Sequence, residues 1–142
     1  MSTLEKDPGV VFEKAIADFL AQPGFAVAGA STNRDKYGNK VVRVYQQNDK
    51  PVYPINPRAT EIEGVTAYPD VVSLPEGPIG LSIVTPPKIT LEVVRQALKR
   101  GVRHFWMQPG AENEEAVHEA QEAGASVIYG GPCVLVALGY TE

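Results

Sequence analysis

Phe25-Ala26-Val27-Ala28-Gly29-Ala30-Ser31 (FAVAGAS) sets the architecture expected of this chain. It opens as an apolar run of strand length and breaks into the small residues Gly29-Ala30-Ser31, after which a helical pattern begins at Tyr37. A buried strand that turns through small residues into a helix brings backbone N–H groups up to a phosphate in α/β domains. The turn falls short of G-x-G-x-x-G, because Ala30 and Ser31 stand where further glycines are needed. Taken alone, it predicts a nucleotide-like ligand and no particular one.

Outward from this turn, strand-like and helix-like segments alternate, as in a parallel sheet covered on both faces. Val10 to Ala21 reads as an amphipathic helix, with Val11, Phe12, Ala15, Ile16, Phe19 and Leu20 on one side. The first strand is expected over Phe25 to Ala30. A helix from Tyr37 to Asn48 turns Val41, Val44 and Tyr45 inward, and Val52 to Ile55 is the second strand. Glu61 to Val65 reads as an excursion with a tight turn, and Asp70 to Leu74 as one or two helical turns. Ile79 to Thr85 is the third main strand. Ile89 to Arg100 is a helix with Ile89, Val93, Ala97 and Leu98 inward, stopped by Gly101. His104 to Met107, a helix from about Asn113 to Gly124, and Val127 to Tyr129 complete the pattern. The expectation is an α/β fold, a three-layer Rossmann-like domain over residues 1–142 with a mainly parallel five-stranded sheet.

Composition limits the function. At 142 residues, 44% apolar and 21% charged, the chain has the balance of a globular domain. A net charge of −4 argues against nucleic acid, which selects basic faces. No apolar run reaches membrane-span length, and MSTLEKDPG lacks the basic and apolar parts of a signal peptide. One cysteine, Cys133, and two histidines, His104 and His118, argue against an internal disulfide and a zinc site. The expected location is cytoplasmic.

In such a sheet, ligands lie beyond the carboxyl ends of the strands, near the point where strand order reverses. The segments there are Gly29-Ala30-Ser31, Asn56-Pro57-Arg58, Thr85-Pro86-Pro87, Gln108-Pro109-Gly110 and Gly130-Gly131-Pro132. Any one of them is what strand-to-helix loops commonly look like; the five in order say more. The end of the second strand holds Asn56 where an NAD site usually places Asp or Glu. Arg58 suits instead a ribose bearing an extra phosphate, as in NADP or coenzyme A. Arg34 and Lys36 are cations for a pyrophosphate, Lys36 also through its backbone, and Gly38 permits close entry into the helix. Cys133 is read either as a small buried residue or as a thiol able to form a mixed disulfide with CoA. His104, His118 and the Glu112–Glu122 run show no catalytic partnering. Phe105 and Trp106 belong to a buried strand, with Trp106 also placed to cover an adenine.

These residues, in this order, resemble the single-domain CoA-binding protein family, which shares its fold with the CoA-binding domain of the succinyl-CoA synthetase α subunit. The resemblance rests on VAGAS with Tyr37-Gly38, on Val52 to Pro57 (VYPINP) and on Glu61 to Pro75. It continues through the Ile79–Val84 strand, Phe105 to Ala116 and the late cysteine, covering about residues 14 to 138. It implies a site for the 3′-phospho-ADP end of CoA. Gly29, Ala30, Ser31, Arg34, Lys36 and Tyr37 would meet the pyrophosphate, and Asn56, Pro57 and Arg58 the adenosine. Val84, Thr85 and Pro86 would line its edge, and Gln108, Pro109 and Gly110 would lie near the pantetheine. The chain departs from the pattern at Gly131-Pro132 and Thr85-Pro86, where relatives often carry arginine. The implied function is non-catalytic binding of coenzyme A or an acyl-CoA, with no protein partner identified. An NADP-dependent oxidoreductase and a detached subunit of an acyl-CoA synthetase are the alternatives.

Overall fold

The computed structural model describes residues 12–142. The elements run α1 (Glu13–Leu20), β1 (Phe25–Ala28), α2 (Tyr37–Gln47), β2 (Val52–Ile55), β3 (Glu61–Ile62), β4 (Val65–Thr66) and β5 (Gly80–Ile83). They continue with α3 (Pro87–Arg100), β6 (His104–Met107), α4 (Glu114–Glu122), β7 (Ser126–Ile128) and α5 (Val134–Ala137). Five strands form one parallel sheet in the order β2-β1-β5-β6-β7. The expected start of the first helix at Val10 and Val11 lies outside the described residues.

All four residues of β1 and all four of β5 are buried, because helices cover both faces of the sheet. Ala26, Ala28, Leu81, Ile83, Phe105 and Met107 face α3 and α4, where they meet Val94, Ala97, Ala116 and Ala120. Phe25, Val27, Trp106 and Ile128 face the other side, against Phe19 and the Val41, Val44 and Tyr45 stripe of α2. Phe25 and Tyr45 stack with centroids 4.7 Å apart, and Trp106 stands edge-on to Phe19 at 5.3 Å. Trp106 is thus a core residue, its indole N–H donating to the Pro132 carbonyl at 3.0 Å, and it covers no adenine.

Several local expectations need correcting. Asp70 to Leu74 forms a turn and not a helix, pinned by Ser73 N–H donating to Asp70 Oδ1 (2.9 Å). The Glu61–Val65 excursion is a small antiparallel hairpin, β3 with β4, and its turn holds Glu63 in the left-handed region at φ 51°. The last strand begins at Ser126 and ends at Ile128, one residue earlier than expected at each end, and α5 follows it unannounced. In α3 the buried stripe is Thr90, Val94 and Ala97, while Ile89 is 44% exposed. Among the described residues, no helix is long and apolar enough to cross a membrane.

The strand register aligns the loops at the carboxyl edge. Ala28 pairs with Ile55 on one side and Ile83 on the other, and Ile83 pairs with Met107. The next residues, Gly29, Asn56, Val84 and Gln108, therefore stand in one row along that edge. The order reverses between β1 and β5, where crossovers to opposite faces leave a cleft.

Candidate functional site

The turn after β1 is shaped by side chains from other elements. Gly29 adopts φ 91°, and a Cβ there would press on Val84 and the Thr85 amide at 3.0–3.2 Å. At Gly38 a Cβ would overlap the Gly29 carbonyl oxygen, so only glycine lets the start of α2 lie against the turn. Asn56 Nδ2 donates to the Ala30 carbonyl (2.9 Å), and Asn39 Nδ2 donates to the Ser31 carbonyl (2.9 Å). A trans peptide points its N–H away from its carbonyl, so clamping these two oxygens turns the N–H groups of Ser31 and Thr32 the other way. Neither amide, nor that of Ala30, finds an acceptor among the described residues. Three unpaired amides on one fixed turn suit an anion, without the full glycine fingerprint.

The clamps are themselves held. Asn56 Oδ1 accepts from the amides of Arg58 and Ala59 at 2.8 and 2.9 Å. Asn39 and Arg43 are buried, and Arg43 Nε donates to Asn39 Oδ1 at 2.7 Å. Glu63, from the hairpin turn, accepts from Asn39 Nδ2 (3.0 Å) and from Arg34 Nη1 (2.8 Å). Arg34 is thereby committed to Glu63 instead of standing free as a pyrophosphate cation. Lys36 caps α2, and its backbone N–H, expected as a ligand donor, is taken by the Asn33 carbonyl at 3.0 Å.

Beside the turn lies a cleft of about 400 Å³. Gly29, Ala30, Asn56, Pro57 and Thr85 of the expected set line it. So do Val71, Ile89 and Val93, whose apolar side chains form a wall suited to a flat base, with Asp70, Glu92 and Gln96 as polar members. Sequence reasoning assigned Ile89 and Val93 to the core. Their mismatch with the Thr90, Val94 and Ala97 phase was the available signal that α3 serves two surfaces. Thr85 and Thr90 hydroxyls bond at 2.8 Å, and Thr90 Oγ1 donates to the Ala111 carbonyl (2.8 Å), tying the loops after β5 and β6 together. Pro86 is the residue before α3. The exposed Arg58 side chain is outside the cleft lining and has no hydrogen-bond or ion-pair partner among the described residues.

A second cluster forms further along the row. The Tyr37 hydroxyl donates to Gln108 Oε1 (3.1 Å) and lies 2.7 Å from Cys133 Sγ. A hydroxyl has one proton, so the thiol is the donor in the second contact. Burial pushes the Tyr37 hydroxyl well above the usual phenol range. Gln108 is fully buried; its Oε1 also accepts from the Val134 amide (2.9 Å), while its Nε2 has no partner among the described residues. Pro109 and Gly110 are exposed, and the Gly110 amide donates to Glu112 Oε1 at 2.8 Å. His118 lies 3.6 Å from Glu122 on an exposed helix face, and Glu115 and Glu119 pair with Arg95. Among the described residues, no three His, Cys, Asp or Glu side chains converge as a metal would need. A larger cavity, about 620 Å³, opens at the other edge of the sheet.

Comparison with known proteins supplies the family. Over 118 residues the chain is 31% identical to YneT of Bacillus subtilis, covering 82% of this chain and 86% of that one. It is 37% identical over 83 residues to the acetate–CoA ligase (ADP-forming) II subunit alpha of Pyrococcus furiosus, covering 57% of this chain. The chain spans less than a fifth of the length of the acetate–CoA ligases it matches: 11%, 19%, 17% and 11% of four of them. The solved structure of a hypothetical protein from Pyrococcus horikoshii superposes with a TM-score of 0.84 at 29% identity, over 96% of this chain and 95% of that one. The family model described as CoA binding domain matches residues 24–139, and the chain belongs to that family.

Proposed function

We propose that the chain binds coenzyme A or an acyl-CoA through its 3′-phospho-ADP portion at the carboxyl edge of the sheet, without catalysing a reaction. The observation that carries this reading is the clamped turn. The amides of Ala30, Ser31 and Thr32 have no acceptor among the described residues, and Gly29 and Ala30 of the same turn line an apolar cleft of about 400 Å³. A pyrophosphate on those amides leaves the adenine against Ile89, Val93 and Pro57. Asn56 spends its side chain on the turn and Arg58 stands free beside it, which favours a phosphorylated ribose over one with both hydroxyls free. Gly29, Ala30, Ser31, Tyr37, Asn56, Pro57, Arg58, Val84, Thr85 and Pro86 make up the nucleotide side of this site. Gln108, Pro109 and Gly110 make up the pantetheine side, where the unpartnered Gln108 Nε2 is a donor available to an amide carbonyl. Arg34 and Lys36 contribute only long-range charge.

Calorimetric titration with CoA, dephospho-CoA, acetyl-CoA, NAD and NADP tests this. Saturable binding of CoA that weakens with dephospho-CoA is expected. At 100 times its dissociation constant CoA should add about 2.7 kcal/mol of stability. Binding of NADP alone would replace the proposal with a reductase, and silence from all five would remove it. A second reading, a detached CoA-holding part of an acyl-CoA synthetase, is favoured by the match to the ligase subunit alpha. The two readings part when the remaining ligase domains are added with acetate, ATP and CoA: acetyl-CoA formation then supports the second.

A further inference from the structure

The amino edge of the sheet carries a site-like arrangement that the proposed CoA site does not use. The 620 Å³ cavity there opens between the approach to β5, the end of α3 and the start of β6. Its floor is apolar: Leu74, Ile79 and Val102 are each at least nine-tenths buried. Its polar wall is Arg100, Arg103 and His104, with Glu76 the one carboxylate in the lining. An arginine at a helix C-terminus ordinarily serves the last carbonyls. Arg103 Nη1 does so, donating to Val102 O at 2.9 Å and Leu98 O at 3.4 Å, while Arg100 Nη2 donates to Pro75 O. That accounts for one nitrogen of each guanidinium. A guanidinium carries five N–H groups in a planar fork. Neither arginine has a carboxylate within ion-pair distance among the described residues. Helix capping also leaves a second feature unexplained: His104 Nδ1 is shielded from solvent and has no partner among the described residues.

We propose that this cavity is a second binding site, for a small organic anion with a carboxylate and a short apolar chain. The carboxylate takes the free N–H groups of Arg100 and Arg103 in the forked geometry that guanidinium favours, with the His104 ring beside it in the same lining. The hydrocarbon chain lies on Leu74, Ile79 and Val102, where inorganic phosphate has nothing to offer. The net sign of the wall is positive in a chain whose overall charge is −4, so the preference for an anion is local.

Butyrate is the probe, with inorganic phosphate and n-butylamine as controls, titrated into the full chain by calorimetry and by ¹⁵N NMR of the histidine imidazoles. Butyrate should bind saturably with a dissociation constant of about 1 mM, within reach of so small a ligand. It should shift the His104 nitrogens and leave those of His118 in place. Arg103→Gln should weaken butyrate about tenfold and leave CoA titration unchanged, so that failure here is separable from failure of the CoA reading; Arg100→Gln gives a second variant should the first fold poorly. Three results overturn the proposal: phosphate or butylamine binding as well as butyrate does, binding indifferent to both substitutions, or His104 nitrogens that do not move.

Discussion

At the carboxyl edge, β1, β2, β5 and β6 stop in register, and the residues just beyond them offer backbone amides, amide side chains and an apolar wall. At the amino edge the same sheet begins under a wider cavity walled by arginines and an imidazole. The first edge has few side-chain charges in its lining yet is the one suited to a dianion, because free peptide N–H groups, held fixed, do the work of cations. The second has abundant cations and no such turn. Cavity size and formal charge alone would have selected the amino edge; what distinguishes the two is where unpaired main-chain donors are held in place.

The contrast can be broken most severely at Gly38. A Cβ in Gly38→Ala overlaps the Gly29 carbonyl, so α2 must leave the turn. The expected cost is about 3 kcal/mol in urea denaturation, with loss of CoA binding. Asn56→Ala removes the clamp on Ala30 and the acceptor of two loop amides. It should cost about 2 kcal/mol and weaken CoA, while butyrate binding at the amino edge is unaffected.

Alkaline pH acts on the α2 face of the sheet. Tyr45 is fully buried and bonded to Ser82 at 2.6 Å, and burial holds its hydroxyl above the usual phenol range. The folded state keeps a proton that the unfolded state gives up near pH 10. Stability is therefore whole below pH 10 and falls above it, by about 1.4 kcal/mol per pH unit for this one group. Absorbance at the phenolate band should show Tyr45 ionising only together with unfolding; ionisation in the native state would refute its burial.

Tyr37→Phe deletes the hydroxyl between Gln108 and Cys133 and should cost about 1 kcal/mol in urea denaturation, with CoA and ADP both bound more weakly. Arg58→Gln is the mildest for folding, within about 0.5 kcal/mol, since its side chain touches nothing described. Its effect is on selectivity: CoA and dephospho-CoA should bind alike.

Much of this was legible in the residues. Short apolar runs and period-3.6 patterns located every strand of the main sheet and the four longer helices, because each element must supply the apolar residues it buries. The row of loop residues came from the fold rule. Part of what escaped depends on partners distant in sequence. Only Val41, Val44 and Tyr45 were expected inward in α2, and Asn39 and Arg43 are buried among partners elsewhere, including Glu63, 24 residues beyond Asn39, and the Arg34 carbonyl. Arg34 read as a free cation until that same Glu63 met it. Ile89 and Val93 carried the pattern of core residues, since a ligand cleft asks for the same apolar side chains as an interior. The short helix after Cys133 spans four residues, too few for periodicity to reveal.

The two asparagines that grip Ala30 and Ser31 have a further consequence. A loop that had to be captured and ordered by its ligand would spend part of the interaction free energy on lost conformational freedom, and would close only after encounter. Here the turn is already held by the scaffold with no ligand present. Association should therefore proceed in a single kinetic phase, linear in ligand concentration, with amide exchange at positions 30–32 fast in the free chain and slowed when CoA binds.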